Sequence, residues 1–268
     1  MNERENTVLI SVIITTRETP LMLLKRCVQC LQQQTLPDVE IILLDANTLD
    51  SPWHAAIQGE QQFFAGVRQI SCPEEGELVH GKQKALQAAS GEYITFLSAQ
   101  DFMPATRLEY AIKAFHENPA AFMYYTNMRT QKNHILETSD QSIPSGKLMY
   151  LSQIIFHRDC FSLIGGFDDN MVALCDEEIW FRLQYLKLIN HLNSEETAID
   201  ICTEEYKHYT PLEAAIGYRQ LCVKYNKYFK KNRRKRKKLY EDIAANYKKS
   251  NLIFRYIQFK IKAWFTRG

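Results

Sequence analysis

Gly91-Glu92-Tyr93-Ile94-Thr95-Phe96-Leu97-Ser98-Ala99-Gln100-Asp101 is an apolar, β-forming run that opens on glycine and ends in a small polar cluster closed by a carboxylate. Residues 81–90, immediately before it, carry apolar side chains at helical spacing and stop at a glycine-containing turn. The pattern predicts a helix feeding a buried strand whose carboxyl end is polar. Ligands of open α/β sheets bind beyond the carboxyl ends of the strands. Asp101 and its neighbours are therefore the first candidate site.

Working back from that strand, residues 8–16 are a β-branched run that reads as another fully buried strand, and residues 21–34, after Pro20, read as a helix. Val39-Glu40-Ile41-Ile42-Leu43-Leu44 is a further strand, closing on Asp45-Ala46-Asn47-Thr48-Leu49-Asp50. Strands that are apolar throughout and joined by a helix imply a parallel sheet covered on both faces. No Gly-x-Gly-x-x-Gly follows the first strand, which excludes a dinucleotide fingerprint. Asp45, followed by Asn47 and Thr48, is ordinary turn chemistry, so the residues alone read it first as a turn or N-cap carboxylate.

Working forward, residues 104–118 have the early proline and apolar period of a helix, and residues 121–127 form an aromatic strand. Residues 128–150, with Pro144 and Gly146, read as a loop or hairpin over the site. Residues 154–158 form a short strand, followed by residues 160–164 and a Gly165-Gly166-Phe167-Asp168 turn. Cys175-Asp176-Glu177-Glu178-Ile179-Trp180-Phe181-Arg182-Leu183 opens as an acidic first helical turn, which the helix macrodipole favours.

The 268 residues, 46% hydrophobic and 12% aromatic, can bury a sizeable core. There is no apolar run of about 18 residues, and the first six residues lack the layout of a signal peptide, so a cytoplasmic location is expected. Cys27 and Cys30 lie one helical turn apart with no second Cys-x-x-Cys, which favours reduced structural thiols over zinc. The net charge of +2 is unevenly spread: from Lys224 onward, 16 Lys and Arg face two acids, giving +14 against −12 for the rest of the chain. Eight of the nine residues from Lys230 to Lys238 are basic. In the segment after them Ile253, Ile257, Ile261 and Trp264 share one helical face, with Arg255, Gln258 and Lys262 opposite. That is the layout of an interfacial helix on an anionic membrane; the competing reading is a basic face packed on the acidic remainder. The aromatics gather on the apolar face, so nucleic-acid binding is not expected.

Four of these stretches, in order, resemble the family 2 glycosyltransferases. They are Ser11-Val12-Ile13-Ile14-Thr15-Thr16 with Leu31-Gln32-Gln33-Gln34-Thr35-Leu36-Pro37, then Glu40 to Asp45, then Ala89-Ser90-Gly91-Glu92-Tyr93-Ile94 through Asp101 with Met103-Pro104 and Arg107-Leu108, and finally Gly165-Gly166-Phe167-Asp168 with residues 175–183. The resemblance implies a GT-A fold, a Rossmann-like α/β/α sandwich with a mostly parallel sheet. It divides the chain into a transferase domain over residues 1–210 and a helical basic extension over 211–268. Within the domain, residues 1–101 would be the nucleotide-binding half and 102–210 the acceptor half.

By the same resemblance Thr15, Arg17 and Asp45 border the base and ribose of a nucleotide-sugar donor, a UDP-sugar by preference, and His208 lies near its diphosphate; Lys82, by its charge-assisted hydrogen bonding to phosphate oxygens, is a further donor-binding candidate. The family's Asp-Ala-Asp-Asp cluster corresponds to Ser98-Ala99-Gln100-Asp101, so Asp101 is the one carboxylate left to hold Mg2+ or Mn2+. Where the family usually has Tyr-Asn, this chain has Arg17-Glu18. Asp176 takes the position of the general base that deprotonates the acceptor hydroxyl, with Cys175 replacing the preceding Glu. The implied activity is sugar transfer to a polysaccharide or lipid-linked acceptor at the inner membrane face. A degenerate domain that binds a partner or regulates it is the alternative.

Overall fold

The structure, a computed structural model, describes residues 8–73, 78–130, 133–136, 150–192, 195–201 and 209–266. These gather into two compact units, one of the described residues up to 136 with 150–167 and 183–201, the other of 168–182 and 209–266.

In the first unit the elements run β1 (Ile10–Thr16), α1 (Leu21–Gln32), β2 (Val39–Asp45), α2 (Pro52–Gln58), β3 (Arg68–Ser71), α3 (Leu78–Ala88), β4 (Tyr93–Ser98) and α4 (Arg107–Glu117). They continue as β5 (Met123–Thr126), β6 (Met128–Thr130), β7 (Asn133–Leu136), β8 (Ile154–His157) and α5 (Asp159–Ile164). After α6 (Cys175–Tyr185) come β9 (His191–Leu192) and β10 (Ile199–Ile201). Seven strands form one sheet in the order β3-β2-β1-β4-β8-β5-β9. β1 pairs in parallel with β2 and β4, β2 with β3, and β5 with β9, while β8 runs antiparallel to β4 and β5. The sheet is thus mostly parallel, as expected for an α/β chain of this pattern.

β1 sits centrally, with Ile10, Val12, Ile13 and Ile14 fully buried, which is why it reads as unbroken apolar sequence. Each such side chain contributes roughly 1.5–3 kcal/mol when removed from water. α1 buries Leu24, Cys27, Val28 and Leu31, one face at helical spacing, so Cys27 is a core residue. Burial pushes the Cys27 and Cys30 thiols up, and both are free.

The turn into β4 depends on Gly91. A Cβ there would lie 2.5 Å from the Ser11 backbone nitrogen, and the Gly91 N–H donates to Ser11 Oγ at 2.8 Å. Arg158 closes the same turn, its Nε donating to the Gly91 carbonyl at 2.8 Å and Nη2 to that of Ala89 at 2.9 Å.

Two helix starts differ from the periodicity. α3 begins at Leu78, and α4 begins only at Arg107, because Pro104 offers its carbonyl to Gln34 Nε2 at 2.8 Å and to the Arg107 N–H at 3.1 Å. β6 and β7 pair antiparallel, and β10 adds in parallel to β6 to make a small second sheet.

The second unit holds α6 through Arg182, then α7 (Pro211–Lys224), α8 (Asn226–Lys231), α9 (Arg233–Lys249) and α10 (Ile253–Phe265). Thr210 opens α7 with a capping box, accepting from the Glu213 N–H at 3.2 Å while Glu213 accepts from the Thr210 N–H at 2.7 Å. Most of the basic run lies in the first turns of α9, which buries Leu239, Tyr240, Ile243, Ala244 and Tyr247. α10 packs on α9 through Phe259 and Ala263, and leaves Ile253, Phe254, Ile257, Ile261, Trp264 and Phe265 exposed. Among the described residues no helix is long and apolar enough to cross a membrane.

Candidate active site

Parallel pairing brings the carboxyl ends of β1, β2 and β4 to one edge of the sheet, with Thr15 opposite both Leu44 and Ser98 and Thr16 opposite Asp45. The loops leaving that edge line a pocket of about 120 Å³ formed by Arg17, Glu18, Ala46, Asn47, Thr48, Ser51 and Pro73. Asn47 ties it together, its Nδ2 donating to Asp45 Oδ1 at 2.7 Å and its Oδ1 accepting the Glu18 N–H at 2.6 Å. Glu18 sits at φ 51°, a left-handed conformation uncommon for a side-chain-bearing residue and one that clusters at functional sites.

Asp45 is buried at the end of β2. Its Oδ1 also accepts the Asn47 N–H at 3.1 Å, and its Oδ2 lies 2.7 Å from His54 Nδ1 on α2. The carboxylate performs the turn chemistry its own residues suggest, and Asn47 and His54 hold it in one orientation. Lys82, on α3, is 4% exposed, with Nζ 5.9 Å from the centre of the Phe167 ring. Phe167 belongs to the Gly-Gly-Phe-Asp turn, packs edge-on to Phe96 of β4, and donates its N–H to Gln83 Oε1 at 2.9 Å.

Asp101 follows β4 and is 3% exposed. Ser152 Oγ donates to its Oδ2 at 2.8 Å and accepts the Ser98 N–H at 3.3 Å, so one hydroxyl clamps both ends of the polar cluster. Ser152 is itself held by Arg107, which donates to the Ser152 carbonyl at 3.0 Å, to Thr126 Oγ1 at 3.1 Å and to the Thr197 carbonyl at 3.1 Å. Arg107 is fully buried, and burial pulls its pKa down to about 9.

Among the described residues no three His, Cys, Asp or Glu side chains gather to hold a metal. Mg2+ is commonly bound through one or two carboxylates plus substrate phosphates. Asp101 fits that pattern only with a phosphate-bearing ligand present.

Asp176 lies in the second unit and is described there by itself. It is half-buried in the first turn of α6, with Cys175 Sγ donating to Oδ1 at 3.2 Å and lying 3.5 Å from the Tyr209 hydroxyl. Leu174, just before the helix, has φ 63°, a strained value for a bulky residue.

The three first-turn acids are not equivalent. Glu178 is fully buried and lies 2.7 Å from Lys224 Nζ and 2.6 Å from Arg182 Nη2, and it accepts from the Tyr225 hydroxyl. Its charge is consumed by a structural network, whereas Asp176 keeps partial access to solvent. His208 lies outside the described residues. His54, Asn47, Ser152 and Arg107 were not predicted as site residues; Ser152 in particular has no local signal, because it meets Asp101 across 51 positions of chain.

Residues 11–176 match the sequence profile of the family described as Glycosyl transferase family 2. The chain is 22% identical over 224 residues to a chondroitin synthase of Pasteurella multocida (strain Pm70), covering 76% of this chain and 23% of that protein. It is 24% identical over 179 residues to a chondroitin synthase of Escherichia coli, covering 63% of this chain and 25% of that one. The chain therefore spans about a quarter of the length of these curated relatives. In fold it is similar to S. aureus TarS, with a TM-score of 0.62 at 13% identity over 96% of this chain and 54% of TarS. Against TarS 1–349 in complex with UDP-GlcNAc the TM-score is 0.61 at 15% identity, over 95% of this chain and 73% of that one. With the profile covering more than half of its length, and the strand-end carboxylates at the positions described, the chain belongs to glycosyl transferase family 2.

Proposed function

We propose that this chain transfers a sugar from a nucleotide-sugar donor, a UDP-sugar first, to a polysaccharide or lipid-linked acceptor in cell-surface glycan synthesis. The observation that carries the reading is Asp101, buried at the carboxyl end of β4 and aimed by Ser152, in a chain of this family. Two named similarities support it: the curated relatives are chondroitin synthases, and TarS has been solved with UDP and with UDP-GlcNAc.

In this scheme Thr15, Arg17 and Asp45 receive the base and ribose, and Arg17 and Lys82 offer charge-assisted hydrogen bonds to phosphate oxygens. The acceptor hydroxyl oxygen attacks the anomeric carbon, and the bond from that carbon to the donor phosphate oxygen breaks. The nucleoside diphosphate departs with those electrons, and the hydroxyl proton passes to Asp176. Mg2+ or Mn2+, held by Asp101 together with the donor, would neutralise charge on the leaving diphosphate.

The proposed location is the cytoplasmic side of the inner membrane. The exposed apolar face of α10 beside the basic residues of α9 supports attachment to an anionic surface.

Release of UDP from a panel of UDP-sugars, with and without Mn2+ and acceptor, tests the reading in the wild type and in D101N and D176N. Release that needs both carboxylates is expected. A single surviving carboxylate in the polar cluster favours the second reading, a degenerate domain that binds a partner or a nucleotide without turnover, and UDP binding without release from any donor would support it.

A further inference from the structure

In the second unit several Lys and Arg side chains pair with a definite acid: Lys224 with Asp168 and Glu178, Arg182 with Glu178, and Lys238 with Asp242. Four others, which do not, share one cavity. Arg219 donates to the Tyr247 hydroxyl at 3.0 Å, Arg236 to the Tyr240 hydroxyl at 3.0 Å, and Arg255 to Gln258 Oε1 at 3.4 Å. Lys262 Nζ lies 4.6 Å over the Phe259 ring. None of the four has an acidic partner among the described residues.

All four line one open pocket of about 310 Å³, framed by α7, α9 and α10. Asn226 and Gln258 add amide groups to the wall, Ile243, Tyr240 and Phe259 add an apolar floor, and no Asp or Glu lines it. On α10 the lining residues Arg255, Gln258, Phe259 and Lys262 recur at the spacing of a single helical face. Bringing like charges together around a cavity is unfavourable unless something negative enters it, and an apolar floor strengthens the field felt there. Three guanidinium groups present planar donor forks, the geometry that matches phosphate oxygens.

We propose that this pocket binds a phosphate or diphosphate group, at a site separate from the one assigned to the nucleotide-sugar donor. The group could be the headgroup of an anionic lipid, since the same α10 exposes Ile257, Ile261 and Trp264, or it could belong to a soluble phosphate ester.

Calorimetric titration of the full chain with inorganic pyrophosphate reads the pocket. R236Q/R255Q should weaken binding about tenfold or more, the loss of roughly one charge-assisted contact. K230Q/K237Q removes the same charge from exposed positions outside the lining and should change affinity less than about twofold. R236K/R255K keeps the charge but loses the forks and should bind more weakly than the wild type yet more tightly than R236Q/R255Q, which separates loss of the site from loss of folding. Equal weakening by the two Gln pairs, or no pyrophosphate binding by the wild type, would overturn the site. Flotation on phosphatidylcholine vesicles with and without phosphatidic acid identifies the source. A larger defect for R236Q/R255Q than for K230Q/K237Q on phosphatidic acid assigns a lipid phosphate. Equal flotation, with pyrophosphate binding still separating the two pairs, assigns a soluble one.

Discussion

Replacing Arg107 by lysine tests the idea that a buried guanidinium fork organises the strand-end site. The native side chain is fully buried and serves three acceptors, the carbonyls of Thr197 and Ser152 and the Thr126 hydroxyl, at 3.0–3.1 Å. An ammonium on a different stem keeps the charge but cannot reach three acceptors held in a planar arrangement. Two would lose their donor at about 1–3 kcal/mol each, so R107K should cost about 3 kcal/mol. With a urea m value of ~3 kcal/mol/M for a chain of this size, the midpoint should fall by about 1 M. R107M removes the remaining donor as well, leaves all three acceptors unserved, and should be destabilised at least as much as R107K. Urea titrations followed by circular dichroism measure both variants. An R107K midpoint within about 0.3 M of wild type would refute the fork argument. Because Ser152 also holds Asp101, R107K should lower UDP affinity under conditions where it remains folded.

Gly91→Ala would place a Cβ 2.5 Å from the Ser11 nitrogen, an overpacking of backbone against backbone that should cost about 2–3 kcal/mol and lower Tm by roughly 5–10 °C in calorimetry. The two acids of α6 should separate cleanly: E178Q removes the buried charge that faces Arg182 and Lys224 and should cost about 3 kcal/mol in urea unfolding. D176N should leave stability nearly unchanged while turnover falls by about 10²-fold or more; a stable, fully active D176N would remove it as the base. Burial pushes the Asp168 carboxyl up, but Lys224 and Asn170 outweigh this and hold it below the usual carboxylate range. With the folded value below the unfolded one, its stabilisation is present above about pH 4 and is lost as the pH falls through the folded value. D168N should therefore cost roughly 0.2–1 kcal/mol at pH 6 and progressively less as the pH falls below about 4, as read from urea midpoints at each pH.

The parallel strands were legible because burial on both faces leaves a mark within a few residues: β1 and β4 are apolar at successive positions, and Gly91 marks a turn where no Cβ fits. Asp45 and Asp101 were visible as carboxylates at strand ends, and helical spacing in α10 by itself separates Arg255, Gln258 and Lys262 from the apolar Ile257, Ile261 and Trp264. Which groups those side chains meet was not visible. Asp45 meets His54 on the next helix, while Asp101 finds Ser152 and Arg107 reaches Thr197 across 90 residues, the latter two set by how the sheet brings distant segments together. In sequence Asp176, Glu177 and Glu178 read as one acidic turn, and only the position of Lys224 and Tyr225 on α7 and just beyond it makes Glu178 a buried member of an ion network and leaves Asp176 partly open to solvent. Periodicity reports which face of an element is dry; it carries no information about the partner on the other side, because that is decided by contacts between segments tens of residues apart.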